Sequence, residues 1–226
     1  MWQREREQFG FAVVPEVLEW NEIQSLVDSL SEIGLSRSKA GIRHMLRHKA
    51  TAAIAYDSRL MAMARHVLDT DATPFHATLF DKSPNANWLV VWHQDTALPL
   101  QERAGAEGWG PWSVKQGAIY AHAPATALQR VLALRVHLDD STPENGPLRV
   151  LPETHKLGVL SDDSIQEIAA NAAPRDCVVA TGGILAMRPL IVHASSKSRT
   201  YAPRRVLHIE YAASMNIAEG LRLASA

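Results

Sequence analysis

The chain has 226 residues, 46% of them hydrophobic, which is enough for one well-buried core. Its 23 basic and 24 acidic residues leave a formal charge of −1, so it lacks the basic footprint of a nucleic-acid binder or of a protein held to an anionic membrane. A single cysteine, Cys177, excludes an intrachain disulfide and suits a reducing compartment. No apolar stretch reaches the roughly 18–20 residues of a membrane span, and the charged start Met1-Trp2-Gln3-Arg4-Glu5-Arg6-Glu7 is unlike a secretory leader. The expectation is one cytoplasmic domain over residues 1–226, acting on a small molecule, with no nucleic acid or membrane partner.

Residues 9–15 read as a short apolar strand closed by Pro15. A helix should follow, capped by Asn21 with Gln24 at capping-box spacing. Ile23, Leu26, Val27, Leu30 and Ile33 recur on one face of it, and Gly34 is its stop. Residues 36–49 are basic. His44 and His48 would share a helix face, but Arg43, Arg47 and Lys49 repel a cation and no metalloprotease glutamate accompanies them, so the segment reads as a solvated or substrate-facing loop. Residues 58–68 form a second helix, burying Leu60, Met61, Ala64, Val67 and Leu68.

From residue 75 the pattern changes to strands and turns. Residues 75–80 form one strand, and 82–85 turn into a second that carries Trp92-His93-Gln94-Asp95. Residues 101–127 read as a long irregular loop holding Trp109, Trp112, Lys115 and Tyr120, with glycines as hinges. A loop of that length is expected to be a lid that closes over substrate, where Lys115 can meet an acidic group; the alternative is that both tryptophans pack into the core and the loop is static. Strands follow at 131–138, 148–151, 177–179, 184–187, 190–192 and 205–211, with a short helix or turn at 164–170. Several short strands after a helical start predict an α+β fold with an antiparallel sandwich or jelly roll.

On a strand, His93 and Asp95 lie two apart and point to one face. An imidazole and a carboxylate there can take two corners of a metal ion, and His193, in Val192-His193-Ala194-Ser195-Ser196, is the candidate for a third. Two histidines and one carboxylate make the facial triad of non-haem Fe(II) oxygenases. His137-Leu138-Asp139 has the same spacing and also precedes His193. Against it, Asp139 opens a turn, a place aspartate favours. Strand parity puts Arg204, Val206, His208 and Glu210 on one face and Arg205, Leu207, Ile209 and Tyr211 on the other. If helices cover the sheet from outside, the polar face is the one that lines the pocket.

Taken in order, these segments resemble the phytanoyl-CoA dioxygenase family of Fe(II)/2-oxoglutarate oxygenases. The pieces are Trp92-His93-Gln94-Asp95, Leu138-Asp139-Asp140, the run from Glu144-Asn145-Gly146-Pro147-Leu148-Arg149 to Pro152-Glu153-Thr154-His155, then His193-Ala194-Ser195-Ser196 and Arg204. The resemblance covers residues 9–211 and implies a double-stranded β-helix (jelly roll, cupin-like) with N-terminal helices packed on one sheet. It implies that His93, Asp95 and His193 ligate Fe(II), that Arg204 holds the distal carboxylate of 2-oxoglutarate, and that Ser195 stands beside that carboxylate. His155 and His208 are then structural or pocket-lining. The implied reaction consumes O2 and 2-oxoglutarate, releases succinate and CO2, and hydroxylates a C–H bond. Two turns differ from the family's usual sequence: Pro152-Glu153-Thr154-His155 replaces Pro-Gly-Ser-His, and Gly182-Gly183 replaces Gly-Asp. Two other functions use the same residues: a jelly-roll binding module without catalysis, and a hydrolase holding zinc on the same three ligands.

Overall fold

The computed structural model describes residues 2–33, 41–82 and 86–225. The expected helix stop at Gly34, residues 36–40 of the basic segment and residues 83–85 of the expected turn lie outside these. The first part of the chain comprises α1 (Trp2–Phe9), β1 (Phe11–Val14), α2 (Trp20–Glu32), α3 (Lys49–Ala55) and α4 (Ser58–Leu68). Six elements follow: β2 (Thr73–Lys82), β3 (Val90–His93), β4 (Ala97–Leu100), β5 (Trp112–Lys115), β6 (Ala118–His122) and α5 (Ala125–Leu128). Next come β7 (Val131–His137), β8 (Leu148–Val150), α6 (Asp162–Asn171), β9 (Arg175–Cys177) and β10 (Ile184–Met187). The chain ends with β11 (His193–Ser195), β12 (Arg204–Ala212), β13 (Asn216–Ala218) and β14 (Leu221–Arg222).

Two antiparallel sheets make the body: a five-stranded one in the order β1-β10-β7-β12-β2 and a four-stranded one in the order β3-β11-β8-β9. The chain crosses between these sheets at β2–β3, β7–β8, β9–β10, β10–β11 and β11–β12, as in the winding of a double-stranded β-helix. The outer face of the larger sheet is apolar because the helices lie on it. Ala77, Leu79, Leu134, Val136, Leu207, Ile209 and Tyr211 share a buried core there with Ile23, Leu26, Leu60 and Ala64. Each leucine or isoleucine so buried is worth about 1.5–3 kcal/mol. Alternation then sends the partners of those residues inward: His76, Thr78, Phe80 and Lys82 from β2, with Arg204, His208 and Glu210 from β12, all line one pocket. The polar face is therefore the interior one.

The helical layer is held by specific polar contacts as well. Asp57 caps α4 by accepting the Arg59 amide at 2.9 Å, and Arg59 reaches Glu22 of α2 at 2.6 Å. Helix α2 is capped two residues before the expected position. Glu19 takes the N-cap position with extended backbone, and its amide donates to the Glu22 carboxylate at 2.8 Å, which leaves Asn21 inside the first turn. The start of the chain and residues 49–55 are helical where no helix was expected, and Trp2 packs on the same core. No helix among the described residues is long and apolar enough to cross a membrane.

Tyr211 ties the sheet to this layer, since its buried hydroxyl donates to the Ala55 carbonyl at 2.8 Å. Tyr211→Phe should cost about 1–3 kcal/mol, because a buried carbonyl loses its donor. Urea unfolding followed by circular dichroism measures this, and an unchanged midpoint would mean that water replaces the hydroxyl.

Candidate active site

The smaller sheet brings His93 and His193 together. They are cross-strand partners of β3 and β11, and their ring centroids stand 4.2 Å apart. Asp95 follows β3, its amide bonded to the Pro189 carbonyl at 3.0 Å, so the end of one strand is fastened to the approach of the other. Nε2 of His93 lies 3.6 Å from one Asp95 oxygen, and Nε2 of His193 lies 3.4 Å from the other. One donor atom from each of the three falls within 4.8 Å of the others.

Both rings are set by their own strands. Nδ1 of His93 meets the Val91 carbonyl at 2.8 Å, and Nδ1 of His193 meets the Ile191 carbonyl at 2.9 Å. A carbonyl only accepts, so each Nδ1 carries the proton and each Nε2 presents a lone pair to the common point. Burial pushes His193 down to about 4, which keeps it neutral. Burial opposes ionisation of Asp95, yet the adjoining His193 and His93 hold its carboxyl well below the ordinary range. Burial lowers the His93 pKa but Asp95 outweighs it and raises it, so a metal at this point would take the place of a proton shared with Asp95. Two imidazoles and one carboxylate at this spacing suit a divalent transition metal.

These groups open into a pocket of about 330 Å³ between the two sheets, at the small end of ligand sites. Arg204 enters it from β12 and is 4% exposed. Its Nη2 approaches Ser195 Oγ at 3.5 Å, and its Nε has no hydrogen-bond partner. Lys82, facing Arg204 across β2 and β12, donates to Ser195 Oγ at 2.7 Å and to the Ser196 carbonyl at 2.5 Å. Burial first, then Arg204 and Arg135, push Lys82 down to about 7. Among the described residues none of these three cations has an ion pair, so this end of the pocket is built to receive an anion. Gly146 shapes it from outside. A Cβ there would lie 2.3 Å from the Ser196 carbonyl oxygen, and only without one can its own carbonyl accept the Ser195 hydroxyl at 3.0 Å.

The remaining candidates from the sequence sort as follows. Arg205 faces away from the pocket and pairs with Asp139 at 2.7 Å. Asp139 is thereby occupied, and His137 is buried in the larger sheet with Nδ1 on the Arg135 carbonyl at 3.1 Å. Neither belongs to the ligand cluster. His44 and His48 do not either, and His155 packs against Gly10. His208 lines the pocket and accepts from Arg135 at 2.9 Å.

Lys82, Arg135 and His76 were given no pocket role in the sequence, whereas Arg43 fell in the solvated or substrate-facing loop and Glu210 on the strand face of Arg204; all five line the pocket. Lys82 carried a signal, being in phase with His76, Thr78 and Phe80, but the strand was ended at residue 80. Residues 101–127 were expected to be an irregular lid. Residues 101–111 are irregular as expected, but 112–122 form a hairpin, β5 and β6, turned by Gln116 and Gly117 with φ of 50° and 82° and fastened to β4. Trp109 and Trp112 pack on the core that closes this end of the barrel, while Lys115 and Tyr120 face the pocket.

His137 and His208 are pushed down to about 3, by burial first and by Arg135 next. The unfolded chain then binds the more protons, so their neutral burial is free of cost above about pH 6.5 and stability falls as pH drops toward 3. At pH 5 each should have cost about 2 kcal/mol. Urea midpoints between pH 7 and pH 5 measure it, and His137→Phe should flatten the slope.

The family model for phytanoyl-CoA dioxygenase (PhyH) matches residues 6–206. No curated protein sequence matches the chain. Among solved structures, AviO1 from Streptomyces viridochromogenes Tue57 is 21% identical with a TM-score of 0.68, and the match covers 93% of each chain. EctD from S. alaskensis, solved with 2-oxoglutarate and 5-hydroxyectoine, is 18% identical with a TM-score of 0.71, covering 93% of this chain and 74% of that one. SnoN, the non-heme alpha ketoglutarate dependent epimerase of nogalamycin biosynthesis, is 16% identical with a TM-score of 0.69, covering 93% and 79%. Such identities bear on the fold alone.

Proposed function

The chain belongs to the phytanoyl-CoA dioxygenase family of Fe(II)- and 2-oxoglutarate-dependent oxygenases, and from that premise we propose that it hydroxylates a C–H bond of a small organic substrate, with iron held by His93, Asp95 and His193. The 226 residues act as one oxygenase domain. The observation that carries this reading is the convergence of two Nε2 lone pairs and one carboxylate on a pocket whose other end holds a buried arginine with no ion pair among the described residues. The donor set fits iron, and the cationic end fits the far carboxylate of 2-oxoglutarate.

When bound, iron couples the oxidative decarboxylation of 2-oxoglutarate by O2 to oxidation of the substrate, with release of succinate and CO2. The protein's part is positioning. Its strand carbonyls hold His93 and His193 in one tautomer, and with Asp95 they would hold the iron. Arg204 and Ser195, with Lys82 beside them, orient 2-oxoglutarate by charge-assisted hydrogen bonds. Trp88, Phe80 and Leu148 supply apolar walls that limit water.

Anaerobically loaded protein, given O2 and candidate substrates, should form succinate in step with a product heavier by one oxygen atom. Turnover without 2-oxoglutarate and O2 would instead indicate a hydrolase on the same ligands. A chlorinated product in chloride buffer would contradict Asp95 as a ligand, because a halide needs that corner free.

A further inference from the structure

We propose that the substrate is an organic anion whose carboxylate or phosphate is bound by Arg43 and Lys115, at the end of the pocket away from Arg204; this rests on the oxygenase reading above. The pocket floor has two unlike ends. Along β2 the inward residues run Lys82, Phe80, Thr78, His76, and β12 opposes them with Arg204 against Lys82, His208 against Thr78 and Glu210 against His76. From Lys82 to His76 is six residues, about 20 Å of strand. The first end is suited to 2-oxoglutarate. The second is lined by Arg43, Lys115, Tyr120, His76 and Glu210.

The acidic groups of this pocket are already engaged. Glu210 is bonded to His76 Nδ1 at 2.6 Å, and the other face of that imidazole meets the Tyr120 hydroxyl at 3.3 Å. Asp95 belongs to the two histidines. Among the described residues neither Arg43 nor Lys115 makes an ion pair. The ammonium of Lys115 lies 5.1 Å from the centroid of the Tyr120 ring, which holds it over the cavity. Burial and the neighbouring Arg43 both lower its pKa, while Asp95 acts in the opposite sense. Two like charges are thus brought together, with Asp95 acting on Lys115 from among the metal ligands but, among the described residues, with no carboxylate of the chain in ion-pair contact with either. An incoming acid relieves that repulsion and fixes its own carbon skeleton beside the metal.

The chain also invests backbone in placing Arg43. Ile42 is paired with Leu79 through both backbone hydrogen bonds, 2.8 and 2.9 Å, which fastens the segment to the edge region of β2. Gly41 has φ of 77°, and a Cβ there would come within 2.6 Å of Thr78 and 2.9 Å of Phe80. His44, on the other side, holds a left-handed φ of 62°. Two positive-φ residues bracket Arg43, as expected where a side chain is aimed for function. Lys115 arrives independently, as the last residue of β5 before the two-residue turn.

The test is affinity selection by ultrafiltration and mass spectrometry. Full-length protein loaded with Mn(II) and 2-oxoglutarate is equilibrated with a defined mixture of small carboxylic acids and phosphate monoesters, each beside its primary amide or neutral alcohol. Acids should be retained at least about tenfold over their neutral counterparts, and the Arg43→Gln/Lys115→Gln double variant should lose that preference about tenfold or more. The carboxylate and phosphate arms identify which acid is used. Arg65→Ala, exposed on α4, should behave as the unmodified protein, and circular dichroism confirms that the double variant is folded. Preference for neutral members, acids retained equally by the double variant, or no member retained would each overturn the proposal. Retention of 2-oxoglutarate, and its loss in Arg204→Ala, reports separately on the oxygenase reading. If acids are held and 2-oxoglutarate is not, the oxygenase reading fails and the anion site stands.

Discussion

His193→Ala is expected to abolish 2-oxoglutarate-dependent turnover, a loss of at least about a thousandfold, while leaving the fold in place. Removing one of three protein ligands leaves a carboxylate and one imidazole, which exchange metal too readily to hold it for a reaction cycle. The fold should survive because the two sheets are joined by cores elsewhere: Ala133, Leu148, Val150, Leu185, Met187 and Ile191 pack together between them without help from a metal. His93→Ala and Asp95→Ala should behave alike. His137→Ala is the informative contrast. It removes a buried imidazole from the larger sheet, so it should lower the urea midpoint and leave metal binding intact. Anaerobic titration of Fe(II) against a competing chelator, with circular dichroism on the same samples, separates these cases. Stoichiometric Fe(II) binding that survived both His93→Ala and His193→Ala would refute the ligand assignment.

What could be read from the sequence follows from how strongly each local pattern constrains the chain. Helix α4 and strand β10 were expected over the residues they occupy, because one has a sharp apolar stripe and the other is a short apolar run bounded by turn residues. The inward face of β12 was legible by parity once helices were expected on the outer face, since the period of a strand leaves only two choices. Elements α1 and α3 were not legible. Their sequences are charged or alanine-rich, and tertiary contacts with the core hold them in helix. The hairpin of β5 and β6 was masked by its glycines, which read as irregularity although Gly117 serves a tight turn. Lys82 was missed because a lysine next to Ser-Pro-Asn looks like a solvated turn. Only Arg204 and Ser195, brought beside it from far along the chain, make it part of a pocket. Side chains whose roles depend on such distant neighbours are the ones that local patterns cannot mark.

Arg204→Ala should raise the 2-oxoglutarate requirement tens- to thousands-fold, and Arg205→Ala should change it by less than about threefold. The two residues are adjacent in sequence and on the same strand, so the comparison isolates the direction of the side chain. Arg204 is buried at the pocket's cationic end with an unpartnered Nε, and among the described residues its side-chain hydrogen bond is the long approach to Ser195. A carboxylate meeting it gains a planar, two-pronged partner in a poorly solvated site, and losing such a pair costs on the order of 2–5 kcal/mol. Arg205 already has its carboxylate: Asp139 accepts from its Nε at 2.8 Å and its Nη2 at 2.7 Å, on the side away from the pocket. Its removal should show in stability, by about 1 kcal/mol for a partly exposed pair, and not in co-substrate affinity. Arg204→Lys should recover little, because an ammonium keeps the charge and forfeits the fork. Calorimetric titration of 2-oxoglutarate into Mn(II)-loaded variants reads the affinities directly, apart from turnover. A larger loss in Arg205→Ala than in Arg204→Ala would mean that β12 presents its other face to the ligand.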